Sequence, residues 1–284
     1  MYKEKIPGLT IVGHIDPNEL PDKPDDKPKA PRPEKYLSDL KMSLMSMAGR
    51  LSAEYGRFFN AEGQMTIDGP EAEKDSQKVL RKETGFAQGK NKDIDTWRSD
   101  REKDPANITE MALTLLFDKI LRQDFIIVRA SDFDDYVHGA DLLIIDKKTG
   151  AVICGVDDVL GHIGDDGASK KKDVISSIMR SGGAEIKYGA TVADGELVRQ
   201  SLQNIPLFYL SISKEELNDL LAALQGGTKA VSDKEMTIFS KLAASLDQQA
   251  KQFAQDKDLD EELKANLAKL RPSLDKILAG SRQN

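Results

Sequence analysis

Two apolar runs, residues 140–146 and 151–159, flank the tetrapeptide Lys147-Lys148-Thr149-Gly150, and this pair narrows the fold more than any other feature. A glycine closing a short polar loop can take the left-handed conformation of a β-hairpin, so the runs read as two antiparallel strands. Loop length then decides register. A three-residue loop of Lys148, Thr149 and Gly150 pairs Lys147 with Ala151 and, counted outward, sets Asp141 opposite Asp157, with side chains roughly 5 Å apart on one sheet face. A four-residue loop sets Asp141 opposite Val156 instead, and the argument for a carboxylate pair weakens. Facing carboxylates repel unless a cation lies between them or one is protonated.

The chemistry around these strands is biased. Between Glu110 and Glu185 there are twelve Asp and no Glu. Short carboxylates have few rotamers to freeze, which suits a compact oxygen-ligand site for Mg²⁺ or Mn²⁺; Asp also favours turns, so each one has a plain structural reading too. Upstream, Asp104-Pro105 and Asn107 offer starts for a helix with an apolar face of Ile108, Met111, Ala112, Leu115, Leu116 and Ile120. Glu110 lies on this helix, and Asn107-Ile108-Thr109-Glu110 also has capping-box spacing. Residues 125–128 read as a buried strand and the acids at 132–135 as a turn. Beyond the hairpin, residues 162–169 form a loop, and Ser169 caps a helix carrying Val174, Ile175, Ile178 and Met179. Lys170, Lys171 and Lys172 then occupy its first turn, where cations oppose the helix dipole but, with the free N–H groups, can hold phosphate; a solvated cluster balanced by Asp165, Asp166 and Asp173 is the other reading. Residues 184–192, a turn at Asp194-Gly195 and a strand at 205–212 complete the block.

The order helix, strand, strand, strand, helix, strand over about residues 105–213 resembles the PD-(D/E)XK nuclease superfamily, the restriction-endonuclease-like fold. The resemblance implies an α/β architecture with a central mixed β-sheet flanked by helices, here with additional N- and C-terminal helices. It implies that Asp141 and Asp157 bind one or two Mg²⁺ or Mn²⁺ ions, that Glu110 is an additional ligand, and that Asp158 is an adjacent alternative. The family's lysine two residues after the strand acid is missing: Val159 and Leu160 stand at that spacing from Asp157 and Asp158. Some members carry that lysine on the following helix, which points to Lys170, Lys171 or Lys172; Lys172 is assigned the catalytic place, with Lys170 and Lys171 left for phosphate. The implied activity is metal-assisted hydrolysis of phosphodiester bonds in nucleic acid. The alternative is a noncatalytic interaction or scaffold protein that retains a degenerate nuclease fold.

The rest of the chain divides around this core. Six of eleven prolines fall within residues 16–33, so residues 1–33 read as a short strand at 8–14 followed by an extended arm. Residues 34–104 begin with a helix whose stripe is Leu37, Leu40, Leu44, Met47, Leu51, Tyr55 and Phe58, with Met42 and Met45 as further core filler. The polar remainder from 59 to 107, including Trp97, suggests no role. Residues 214–284 read as amphipathic helices, opened by capping boxes at Ser213 and Ser232, the first of them stopping at Gly226-Gly227, that form either a layer on the sheet or a surface for self-association. One cysteine, Cys154, no apolar leader and no long apolar run point to a cytoplasmic protein without a membrane partner. A formal charge of −7 argues against coating nucleic acid nonspecifically, though a local basic patch can still grip a phosphate backbone. His138 and His162 are too far apart in sequence for a compact metal motif.

Overall fold

The computed structural model describes residues 33–56, 58–161, 166–225 and 230–280, the side chains of 33–34, 166–168 and 280 excepted. The expected strand at 8–14, nearly all of the proline-rich arm, His162 and the Gly226-Gly227 helix stop lie outside the described residues.

Helix α1 (Leu37–Tyr55) buries Leu40, Leu44, Met47 and Leu51, the stripe that the three-and-four spacing predicts. Met42 and Met45 fall off that stripe and are exposed, so they fill no core. Two helices occupy the stretch for which periodicity gave no assignment: α2 (Ala72–Gly89) and α3 (Ile94–Glu102), the latter capped by Asp93, whose side chain accepts from the Thr96 N–H. Helix α4 (Pro105–Leu121) starts at Asp104, which accepts from the Ala106 N–H, with Pro105 in the first position, where its missing N–H costs nothing. The N-cap is therefore Asp104, and the capping box read at Asn107 and Glu110 is not formed. Residues 108–114 of α4 are all buried because α1 covers one side and the sheet the other.

The central sheet comprises β1 (Phe125–Arg129), β2 (Leu142–Asp146), β3 (Val152–Leu160) and, after α5 (Asp132–His138), α6 (Asp166–Arg180), β4 (Ala184–Ala193) and β5 (Glu196–Ile205), the last strand β6 (Leu207–Ile212). Its order is β1-β2-β3-β6, antiparallel at the first two joints and parallel between β3 and β6. Parallel neighbours need a long crossover, and α6 with the separate β4–β5 hairpin supplies it. Three helices follow: α7 (Lys214–Leu224), α8 (Asp233–Gln255) and α9 (Glu261–Gly280), with both expected capping boxes formed at Ser213 and Ser232 and Asp260 accepting from the Glu262 N–H at the start of α9. Their apolar stripes, including Leu220, Leu242, Leu246, Leu263 and Leu274, are buried within the chain. Among the described residues the chain is thus α/β, with nine helices around a mixed sheet, and none of those helices is long and apolar enough to cross a membrane.

Both hairpin registers are present in part. The loop has four residues, closed by the Asp146 N–H donating to the Ala151 carbonyl over 2.9 Å, and Asp146 Oδ1 accepts from the N–H groups of Lys148 and Thr149. Ile145 pairs with Val152, but Ile144 pairs with Cys154, so one residue of β3, Ile153, is bulged. Beyond the bulge Leu142 faces Val156, where the paired register ends; the Asp141 N–H donates to the Val156 carbonyl over 2.8 Å, and Asp157 is the next residue of β3.

Two other expectations are corrected, and the turn expected at Asp194-Gly195 leads into a strand that was not expected. The acids at 132–135 open a helix, α5, because Ser131 caps it by accepting from the Asp134 N–H and Gly139 ends it at φ 72°. Helix α6 starts at Asp166 and not after Ser169, which moves Lys170, Lys171 and Lys172 beyond the first turn. Asp194 and Gly195, at φ 53° and 81°, make a two-residue hairpin turn into β5, a strand too polar in pattern to read from sequence.

Candidate active site

Asp141 immediately precedes β2, and Asp157 and Asp158 lie side by side on β3. The Asp158 N–H donates to Asp141 Oδ2 over 2.8 Å, which holds the Asp141 carboxylate against the end of the strand pair. Asp157 is 3% exposed, and its Oδ1 has no hydrogen-bond partner. Desolvation, followed by the charges of Asp158, Asp157, Asp135 and Glu110, holds the Asp141 carboxyl well above the usual carboxylate range. Burial likewise pushes Asp158 up to about 7, against the opposing hydrogen bond from Asp141. Desolvation raises Asp157 even though Lys171 acts to lower it. Negative charge is crowded here beyond what the surrounding protein balances.

One lysine reaches this cluster. Lys171 Nζ lies 2.6 Å from Asp157 Oδ2. Burial alone would lower its pKa, but the charge and hydrogen bond of Asp157 raise it above the ordinary lysine value. Lys172, assigned the lysine's place from sequence, is exposed, as is Lys170, and neither makes an ion pair among the described residues. Helical geometry separates the three: adjacent residues lie about 100° apart around the axis, so only one of them faces β3.

Glu110 lines the same cavity, yet one of its oxygens is already engaged. Arg129, 4% exposed on β1, donates from Nε to Glu110 Oε1 over 2.8 Å. That leaves Glu110 in the cavity lining with one oxygen held by Arg129. Asp135 is held by Arg101 at 2.9 Å, and burial together with Glu110 pushes its carboxyl up to about 6. Other acids of the Asp-rich stretch are architectural. Asp134, fully buried, accepts from Ser131 Oγ and from the N–H groups of Lys187 and Tyr188, with His138 Nδ1 2.9 Å away, and so ties α5 to β4. Asp146 closes the hairpin loop and accepts from Ser273 Oγ of α9. His138 therefore belongs to packing.

The acids and Lys171 open into a cavity of about 460 Å³. Its opposite wall comes from helices that sequence reasoning missed: Phe86 and Lys90 at the end of α2, Lys92 before α3, Trp97 and Arg101 on α3, and Tyr136 on α5. The only legible signal was the lone tryptophan among charged residues. Seven carboxylates and four cationic side chains line the cavity. Among the described residues no group of three or more His, Cys, Asp or Glu is placed to hold a metal ion by itself. The donor set nevertheless fits a hard divalent cation of the Mg²⁺ type, which commonly takes one or two carboxylates and keeps water in its other positions. Asp157 Oδ1, buried without a partner beside the desolvated Asp141 carboxyl, is the observation that favours the fit. Compared with protein-family models, curated proteins and solved structures, the chain matches none of them.

Proposed function

We propose that this chain is a divalent-metal-dependent phosphodiester hydrolase acting on nucleic acid, built on a restriction-endonuclease-like core with Mg²⁺ or Mn²⁺ as cofactor. The observation that carries the reading is the meeting of Asp141, Asp157 and Asp158 at the end of the β2–β3 pair, where the Asp158 N–H donates to Asp141 Oδ2, with Lys171 brought from α6 to Asp157. Lys171 supplies from a helix the cation that Val159 and Leu160 do not supply from the strand. Asp141 and Asp157 would hold the ion, with Asp158 and the free oxygen of Glu110 behind them. A bound divalent ion supplies a water of lowered pKa and offsets charge on the phosphate. Lys171 stays protonated at neutral pH, so its part is to donate to a phosphate oxygen or to the attacking water, and not to accept a proton. Excess negative charge in the cavity repels a phosphate until a cation enters, which orders the two binding events. Action in the cytosol goes with this proposal, since Cys154 is a free buried thiol whose pKa burial pushes up to about 12.

A second reading has its own support. The direct Lys171–Asp157 pair and the lack of a ready three-acid group among the described residues suit a noncatalytic scaffold in which the pair only neutralises a buried charge. The test is incubation with circular duplex, linear duplex and single-stranded DNA and RNA in Mg²⁺, Mn²⁺ or EDTA. Metal-dependent cleavage lost on Asp157→Asn supports the hydrolase. Intact substrates in every metal condition support the scaffold.

A further inference from the structure

We infer that the rim of this cavity carries a stacking surface for one unpaired nucleobase, with Phe86 as its face; the inference rests on the hydrolase reading and narrows its substrate to single-stranded or frayed nucleic acid. Phe86 is 49% exposed although it is a large apolar side chain beside a polar cavity. Its ring is backed by Trp97, at 6.1 Å between centroids and 20° between planes, and flanked by Tyr136 at 6.0 Å and 38°. Trp97 is itself buried. Arg101 sits 4.5 Å from the Tyr136 centroid and 5.8 Å from that of Trp97, and its pair with Asp135 fixes it there. The platform is therefore rigid before any ligand arrives, which lowers the ordering cost of binding.

The remaining chemistry selects the ligand. Phenylalanine offers a π-face and no hydrogen bond, so it recognises a flat partner without reading its edges, the sequence-tolerant mode of single-strand binders. Lys90, exposed at the same rim and without an ion pair among the described residues, provides a cation for the backbone. A cavity of about 460 Å³ suits one nucleotide unit, and the unpartnered Asp157 Oδ1 marks where its phosphate end would meet the acids through a cation. Bases inside a duplex are stacked on their neighbours and cannot present a face to Phe86 without being unstacked first.

The test is fluorescence anisotropy with a 5′-labelled dT12, an abasic 12-mer of the same charge, a blunt 12-base-pair duplex and free dTMP as competitor, in Ca²⁺ so that binding is read apart from cleavage. We expect dT12 to bind at least tenfold more tightly than the abasic strand or the duplex. Phe86→Ala and Phe86→Leu should weaken dT12 by about fivefold to a hundredfold, the range of base–aromatic stacking, and leave the abasic strand unchanged, while Phe86→Tyr retains binding. Phe86→Leu keeps apolar packing on Trp97, and the near-ultraviolet signal of that single tryptophan checks the local fold. Equal binding of dT12 and the abasic strand, equal binding by wild type and Phe86→Leu, or no binding of dT12 overturns the inference. Competition by dTMP at the concentration of dT12 overturns the polymer as ligand. If Phe86-dependent binding is found and no substrate is cut in Mg²⁺ or Mn²⁺, the hydrolase reading fails alone; if cleavage occurs with Phe86→Leu unaffected, the stacking inference fails alone.

Discussion

Lys171 Nζ and Asp157 Oδ2 stand 2.6 Å apart, joining the second turn of α6 to the centre of β3. On the hydrolase account this lysine donates to the reacting phosphate or water. Lys171→Ala should lower the cleavage rate by about 10²-fold or more, in the range of a positioned proton donor, and should leave divalent-ion affinity equal or tighter because Asp157 loses a competing cation. Lys172→Ala should stay within about twofold of wild type. Steady-state cleavage of a labelled oligonucleotide measures both, and the reverse ranking would return the role to Lys172.

Arg129 and Glu110 form a buried pair under the acid cluster. Arg129→Met leaves a desolvated carboxylate without its partner, and breaking such a pair costs about 3–5 kcal/mol. Urea unfolding followed by circular dichroism should show that loss. The double variant Arg129→Met with Glu110→Gln should recover much of it, since no buried charge is then left uncompensated.

Gly150 adopts φ 72°, and a Cβ there would meet the Val192 carbonyl oxygen at 2.0 Å. Gly150→Ala adds left-handed strain of about 1–2 kcal/mol to an overlap with backbone that cannot rotate away. The expected loss of stability is roughly 2–5 kcal/mol. Thermal melts give the value, and a change below 0.5 kcal/mol would mean the loop rearranges freely.

How far the site was legible in sequence follows from which interactions are local. A short loop keeps Asp141 and Asp157 near one another whichever register forms, but their direct opposition depended on a three-residue loop, and the loop has four residues followed by a bulge at Ile153 that has no signature of its own. Two capping boxes and the α1 stripe were likewise local. Lys171 could not be separated from Lys170 and Lys172 because the start of α6, and with it the face each presents, depended on Asp166 and not Ser169. The Glu110–Arg129 pair joins a helix to a strand nineteen positions away, and periodicity says nothing about such a partner. Helices α2 and α3 were missed because they are mostly polar and bury little beyond Val79, Ala87 and Trp97, so the face that periodicity detects is thin.

Asp75 on α2 supplies the pH dependence. It is fully buried; burial raises its pKa, but hydrogen bonds from Lys187, Tyr188 and Lys78 outweigh that and bring it below the ordinary Asp value. A depressed folded-state pKa contributes stability that is present above the unfolded value of about 3.9 and is lost as pH falls through the folded value. The stability difference between wild type and Asp75→Asn should therefore be constant near neutrality and shrink below about pH 4. Urea midpoints measured from pH 6 to pH 2.5 check the sign; a difference that grows on acidification would contradict it.

The central claim is that Asp141 and Asp157 share a divalent cation, and isothermal titration of Mn²⁺ into wild type and Asp141→Asn tests it most directly. Saturable binding at one or two sites in wild type, abolished in the folded Asp141→Asn variant, is the result the account requires. Absence of Mn²⁺ binding in wild type, or unchanged binding after Asp141→Asn, would contradict it and leave the neighbouring aspartates as architecture alone.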